Sequence, residues 1–307
     1  MARKPAFTIA APMTASALGD ALALLFSRFE GQQATEYQTI YEAAIQEGTV
    51  RPEWVLEARE AGHLLGAALY QLQPGRTALV WPPRLAREAP PSVAEHLMAE
   101  LIRRLQLAEV RLANTLLNPV QPEEHRLLAT WQFAYIADLI YLASFQQDFP
   151  FSKPLADLEY EAYDCVNHSR LARVVLATYE GSLDCPALDG VRDIEDVLAG
   201  YRGTGTFQPD HWAIVRHQGQ DVGCVLVADH PREDCCELVY MGVTAAARGR
   251  GWGRQLVRWA QWQTRQAGRC RLVAAVDAAN HPALDVYASL GFSAWDRRQC
   301  YARVFSA

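Results

Sequence analysis

Glu237-Leu-Val-Tyr-Met-Gly-Val-Thr-Ala-Ala-Ala-Arg-Gly-Arg-Gly-Trp-Gly253 passes from a β-branched and aromatic run into a glycine-studded basic turn that opens a helix. Leu238, Val239, Tyr240 and Val243 suit a half-buried pleated strand, while Gly249, Gly251 and Gly253 leave backbone N–H groups unshielded where the helix begins. First-turn amides of a helix have no internal partners, and the helix dipole places roughly +0.5 charge at that end. The segment therefore reads as an anion-binding corner, suited to a phosphate or pyrophosphate held by backbone.

Spacing separates the phosphate motifs that compete for such a corner. A P-loop needs Gly-x-x-x-x-Gly-Lys-Ser/Thr, and a dinucleotide fingerprint needs Gly-x-Gly-x-x-Gly with an acidic residue about twenty positions on. The glycines here run Gly249-x-Gly251-x-Gly253, which fits neither. Arg248-x-x-Gly251-x-Gly253 resembles the acyl-CoA signature, Arg/Gln-x-x-Gly-x-Gly/Ala, of the GNAT N-acetyltransferase superfamily. In isolation the same six residues also read as an Arg/Gly-rich surface loop.

The downstream order extends the resemblance. Leu256, Trp259, Ala260 and Gln263 fall at i, i+3, i+4 and i+7 of an amphipathic helix closed by Gly268. Leu272 to Val276 reads as a buried strand, and Pro282 is pre-set for the start of a helix that Gly291 stops. Ser293 to Phe305 reads as two more strands. The stretch Asn280-x-Pro-Ala-Leu-x-x-Tyr287-x-x-Leu-Gly-Phe292 resembles the last helix of the same superfamily, so two of its motifs stand in the right order.

The resemblance implies an α/β (α+β) fold with a mixed, mostly antiparallel sheet flanked by helices. It also implies an acyl-CoA-dependent N-acyltransferase, most simply one moving acetyl from acetyl-CoA to a primary amine by direct attack. By the same resemblance, Gly249, Arg250, Gly251, Trp252 and Gly253 cradle the CoA pyrophosphate. The main chain of Met241, Gly242 and Val243 pairs with the pantetheine arm, Arg248 and Arg254 add to a basic cluster that suits phosphate, and Asn280 touches the pantetheine or simply caps its helix. Tyr287 is implied as the acid that protonates the departing thiolate, with a core or surface tyrosine as the plain alternative. Glu237 aligns with the general base of Gcn5-type enzymes, an exposed strand-start carboxylate being its other reading; His211, His217 and His230 remain alternative bases. The chemistry needs such groups: an ammonium with a pKa near 10 must lose a proton before attack. The tetrahedral oxyanion also needs preorganised donors, and N–H groups near Val243 are candidates. A reading from another class, a non-catalytic acyl-CoA sensor or interaction module, predicts binding without turnover.

This unit accounts for about half of the 307 residues. Self-comparison pairs Trp54 with Trp212, Gly66 with Gly223, Leu79 with Leu238 and Phe133 with Phe292, at offsets of 158, 157, 159 and 159. A nearly constant offset of that length marks duplicated domains, since solenoid repeats are about 20 to 50 residues. At the corner the first copy reads Trp81-Pro-Pro-Arg-Leu-Ala-Arg-Glu-Ala-Pro-Pro-Ser92, with no glycine; prolines remove donors, though Ser92 is able to cap the helix that follows. Its helix, Ser92 to Leu107, keeps an apolar face of Val93, Leu97, Leu101 and Leu105. The expectation is a degenerate, non-catalytic domain over residues 1–150 and a catalytic one over 151–307, divided near Phe149 to Pro154. A tandem with one worn copy resembles the architecture of mycothiol synthase and related double GNAT proteins.

In the second half, Leu158 to Asp164 starts the domain, helices follow over His168 to Tyr179 and Val191 to Gly200, and Gly203 and Gly205 suggest a mobile connection or lid. Half of the residues are hydrophobic and the formal net charge is −6, which argues against bulk nucleic-acid binding. No apolar run of about 18 residues occurs, and Met1 to Thr8 lacks a signal-peptide core, so a cytoplasmic protein without a membrane role is expected. Seven cysteines with no Cys-x-x-Cys indicate neither a disulfide framework nor a metal site; buried thiols are the default, a catalytic role for Cys235 or Cys236 the alternative. The expected acceptor is a small-molecule amine or a peptide or protein amine.

Overall fold

The computed structural model describes residues 7–118, 122–154 and 157–305; most of the Met1 to Thr8 stretch, residues 1–6, lies outside them. The first unit contains β1 (Thr8–Ala10), α1 (Ala15–Phe26), α2 (Gln32–Gln46), β2 (Val55–Glu60), β3 (His63–Gln73), β4 (Thr77–Leu85), α3 (Ser92–Leu107), β5 (Leu112–Leu117) and α4 (Pro122–Thr130). Its strands follow the order β1-β2-β3-β4-β5, antiparallel except for β4 and β5, which run parallel.

The second unit contains β6 (Ala134–Phe145), β7 (Glu159–Ala162), α5 (His168–Tyr179), α6 (Ile194–Arg202), β8 (Trp212–His217), β9 (Gln220–His230), β10 (Cys235–Val243), α7 (Trp252–Gln266), β11 (Arg271–Asp277), α8 (His281–Ala288) and most of β12 (Ser293–Val304). Its strands follow the order β6-β11-β10-β9-β8-β7, with β12 beside β6. The repeat read from the sequence is visible strand by strand. In both units a parallel pair joins three residues to three, Thr77 to Leu79 with Leu112 to Asn114 and Cys235 to Glu237 with Arg271 to Val273. The hairpin before each pair slips register at the equivalent place, after Ala58 and after Val215.

Strand alternation explains the layers of the second unit. Ala213, Val215, Val225, Val227, Cys236 and Leu238 point to one face and bury Leu256, Val257, Trp259 and Ala260 of α7. Trp212, Ile214, Cys224 and Leu226 point to the other and bury Leu171, Val174 and Val175 of α5. Period-two side chains on a sheet covered on both faces give such a division. Each fully buried Leu or Val contributes about 1.5–3 kcal/mol.

Several expectations change. Compact grouping places Tyr135–Cys300 together and Tyr301 onward with the first unit, so β6 belongs with the second half although it precedes residue 151. The reason is pairing: β6 is hydrogen-bonded antiparallel to β11 along seven residues, from Phe145 opposite Arg271 to Leu139 opposite Asp277. Ser293 to Val304 is one continuous strand where two were expected. Pro91, in a helical conformation, occupies the N-cap of α3, and no side chain caps that helix. Gly203 caps α6, and Thr206 pairs with Asp229 through a 2.7 Å backbone bond, so the Gly203–Gly205 connection is anchored to β9. Cys224, Cys235, Cys236 and Cys300 are buried as expected, whereas Cys165 and Cys270 are exposed.

Candidate active site

Beyond Glu237 the parallel strands part: β10 continues to Val243 and β11 to Asp277 without pairing further. A bulge helps. Leu238 stands opposite Val227 and Tyr240 opposite Leu226, leaving Val239 unmatched. An extra residue bends the strand and inverts its alternation. Tyr240 and Gly242 consequently face α5, and Met241 and Val243 face α7. The result is a cleft of about 240 Å³ along one edge of β10, walled by Met241, Gly242, Val243, Asn280 and Tyr287. An unpaired strand edge of this kind accepts an extended chain as an added strand. Gly242 is obligatory: a Cβ there would lie 2.5 Å from Thr178 Cβ.

The glycine corner closes one end. Buried Ala247 anchors the loop, Gly249 has φ 78°, and Gly251, with φ 75°, forms the N-cap of α7. No side chain caps this helix and its first turn holds no acidic residue. Side chains added at Gly249, Gly251 or Gly253 would meet nothing within 4 Å, so no protein atom crowds this corner on that side. Arg250 lies over the Trp252 ring at 5.1 Å, Trp252 packs on His217, and Arg254 donates to Ser289 Oγ at 2.8 Å.

Arg248 does more than lend charge. Its guanidinium donates to the carbonyls of Val243 (3.2 Å), Gly181 (3.0 Å) and Thr178 (2.9 Å), tying the end of α5 to the end of β10. Arg248→Met removes this clamp from a largely exposed site, and a loss of about 1 kcal/mol is expected. Calorimetric melting then shows a Tm lower by about 2–4 °C.

Tyr287, 6% exposed, lines the cleft from α8 and packs on Phe292 at 5.1 Å. Burial holds its phenol well above the ordinary tyrosine range, keeping it protonated. Asn280 caps α8, accepting from Ala283 N–H at 3.3 Å, and also lines the cleft. Glu237 is not on the cleft wall. It stands one strand alternation before Val239, with Oε2 3.1 Å from His230 Nε2, and this bond raises the imidazole above its usual range. His217 is engaged with the Asp157 carbonyl; His211 is pushed down by burial. Neither lines the cleft. Cys235 and Cys236 are likewise absent from its wall, and burial raises both thiols, Cys236 to about 12.

Two features escaped the sequence reading. The first is a pocket of about 490 Å³ under α5 and α6 that shares Gly181, Ser182, Asp184, Val239, Tyr240 and Ala275 with the cleft. The loop that delivers Asp184 is sewn to the end of β11: Asp184 Oδ1 accepts from Asp277 N–H at 3.0 Å, and Asp277 Oδ2 accepts from Cys185 N–H at 3.2 Å. These partners are about 93 residues apart in sequence, and no motif announces the contact. The second lies in the first unit. Pro82 and Glu124 hold the repeat positions of Met241 and Ala283, and there Arg28 donates to the Pro82 carbonyl at 2.6 Å and pairs with Glu124 at 2.9 Å. Its side chain is 1% exposed, and burial brings the guanidinium down to about 10. A buried ion pair therefore fills the region corresponding to the open cleft.

Residues 176–292 match the Acetyltransferase (GNAT) family. Mycothiol acetyltransferase of Jonesia denitrificans is 36% identical over 94 residues, 30% of this chain and 30% of the relative; that of Streptomyces bingchenggensis is 30% identical over 111 residues, 36% and 35% respectively. The matches thus span about a third of those relatives' length. A GCN5-related N-acetyltransferase from Sphaerobacter thermophilus superposes with a TM-score of 0.64 at 15% identity, over 98% of this chain and 96% of that one. A tandem GNAT protein from the clavulanic acid biosynthesis pathway does so with a TM-score of 0.52 at 15% identity, over 97% and 98%. Among the described residues, no helix is long and apolar enough to cross a membrane and no acidic, His or Cys cluster is arranged to hold a metal. With its parted parallel strands, glycine corner and terminal tyrosine helix, the second unit is similar to the GNAT family over residues 176–292, and the chain shares its fold with tandem GNAT proteins.

Proposed function

We propose that the second unit transfers acetyl from acetyl-CoA to a primary amine. The observation that carries this reading is the continuity of an unpaired β10 edge with an uncapped helix N-terminus, which together offer a strand partner and an anion seat along one path. Amides of Gly249 to Gly253 receive the pyrophosphate, and the β10 edge from Met241 to Val243 aligns the pantetheine. Arg248 shapes the path as a clamp, Arg250 and Arg254 add positive charge, and Asn280 borders it. The amine nitrogen attacks the thioester carbonyl, the C–N bond forms and the C–S bond breaks. Glu237, reached through water, takes the amine proton, and Tyr287 gives its proton to the leaving thiolate.

The first unit is read as non-catalytic, supported by the Arg28–Glu124 pair in its cleft and the prolines at its corner. The relatives named for mycothiol make an amine on a small thiol-bearing molecule one acceptor to try, alongside peptide amines.

Calorimetry with acetyl-CoA and thiol release across a panel of amines test the reading. Saturable binding and amine-dependent release are expected; binding with no release for any amine points to a sensor. Gly251→Val places a branched side chain at φ 75°, a conformation it resists, and covers the amides. Acetyl-CoA affinity is expected to fall on the order of 10-fold, a few hydrogen bonds' worth; unchanged affinity refutes the pyrophosphate seat.

A further inference from the structure

Resting on the transferase reading, we propose that the acceptor is a primary amine on a hydrophobic, flat body. Its ammonium seats on Asp184 and its body fills the pocket beneath α5 and α6.

The argument begins with where the two cavities meet. The residues lining both mark the place where an acceptor in the pocket reaches a thioester in the cleft, and Asp184 is the carboxylate among them. Past that junction the walls are largely apolar, with Leu139, Leu176, Ile194 and Val197 around the ring of Tyr201, and Asp189 and Arg192 are the charged side chains among them. The tyrosines leave little hydrogen-bonding capacity facing inward. Tyr201 Oη bonds Tyr179 Oη at 3.0 Å, Tyr240 Oη bonds Thr178 Oγ1 at 2.7 Å, and the Tyr201 and Tyr240 rings stack at 5.3 Å. A polyhydroxylated body entering here exchanges water for walls that offer few hydrogen-bond partners beyond Arg192 and Asp189, whereas an aryl or alkyl body gains by burial.

Asp184 suits the cationic end. Among the described residues no basic side chain pairs with it, and it accepts from Asp277 N–H through Oδ1, which leaves Oδ2 for a ligand. Although solvent reaches it at the mouth, packing and the nearby Asp277 carboxylate hold its acid above the ordinary range. An ammonium supplies the missing countercharge. Asp184 then acts as a binding residue that positions the nitrogen, while Glu237 retains the proton-accepting role.

Direct binding of 2-phenylethylamine and of ethanolamine to the full chain, read by calorimetry, tests the proposal independently of catalysis. Burying a ring of that size predicts tighter binding of 2-phenylethylamine by on the order of 100-fold; equal or weaker binding overturns it. Asp184→Asn keeps an acceptor oxygen for Asp277 N–H, so the fold is retained. It is expected to raise the KM for 2-phenylethylamine by about 10-fold or more, as loss of a charge-assisted bond does, with kcat and acetyl-CoA affinity little changed. An unmoved KM removes Asp184 from the site. Because a raised acid opposes folding once ionised, Asp184→Asn should melt no lower than the parent at neutral pH without amine, and a lower Tm assigns Asp184 a structural role instead. Exposed Leu176→Asn narrows the preference between the two amines without unfolding the chain. A chain that binds 2-phenylethylamine tightly but never acetylates it retains this pocket and loses the transferase reading. One that acetylates ethanolamine or glucosamine while binding 2-phenylethylamine no tighter retains the transferase and loses the pocket.

Discussion

Tyr287→Phe is expected to lower kcat by about 10²- to 10⁴-fold while leaving acetyl-CoA affinity nearly unchanged. Removing one hydroxyl from a side chain that is 6% exposed leaves the packing on Phe292 intact, so the variant folds. What disappears is a proton held at the cleft by burial, which keeps the phenol protonated far above neutral pH. Thiolate expulsion then depends on water. The measurement is kcat from thiol release together with calorimetric acetyl-CoA affinity. Intact turnover assigns the proton to another donor, whereas equal losses of turnover and affinity assign Tyr287 to binding.

Glu237→Gln is expected to cost a comparable factor, about 10²-fold or more in kcat, because an amide cannot accept the amine proton. The pH dependence adds a second readout. His230, bonded to Glu237, has a raised pKa, so it remains protonated to higher pH than a free imidazole. While charged it holds Glu237 Oε2 as an ion-pair partner; as pH rises through the raised imidazole range that cation is lost, the carboxylate is freed for the amine proton, and the rate increases. The same loss removes whatever the ion pair contributes to stability, which is present at lower pH and fades over that range. His230→Gln should flatten this limb of the pH–rate profile. A Glu237→Gln enzyme with unchanged kcat moves the base role elsewhere on the cleft.

Much of the second unit was legible because its signals are local. The period of Leu256, Trp259, Ala260 and Gln263 places α7, and all four are buried. The helix expected from His168 to Tyr179 has those bounds, and Gly249 and Gly251 adopt the positive φ that their residue type permits. Boundaries that depend on partners fared differently. Nothing in Ile136 to Phe145 states that it will pair with β11, more than 120 residues later, rather than close the first unit. Ser92 has the chemistry of a cap, but Pro91 before it takes the helical conformation and the cap position. Seven cysteines suggested buried thiols, yet Cys165 and Cys270 lie on the surface, since exposure is set by the fold around a side chain.

The candidate site divides the same way. By itself the sequence carried the resemblance to the superfamily, the repeat and the backbone chemistry of the corner, because glycine spacing, helix capping and strand composition act within a few residues of chain. Tertiary structure alone decided that β10 and β11 part after Glu237, that Arg248 is committed to three carbonyls, that Arg28 and Glu124 fill the first unit's cleft, and that Asp184 stands at the mouth of an apolar pocket. Each of these joins groups remote in sequence, and such contacts depend on burial and packing geometry that no local pattern encodes.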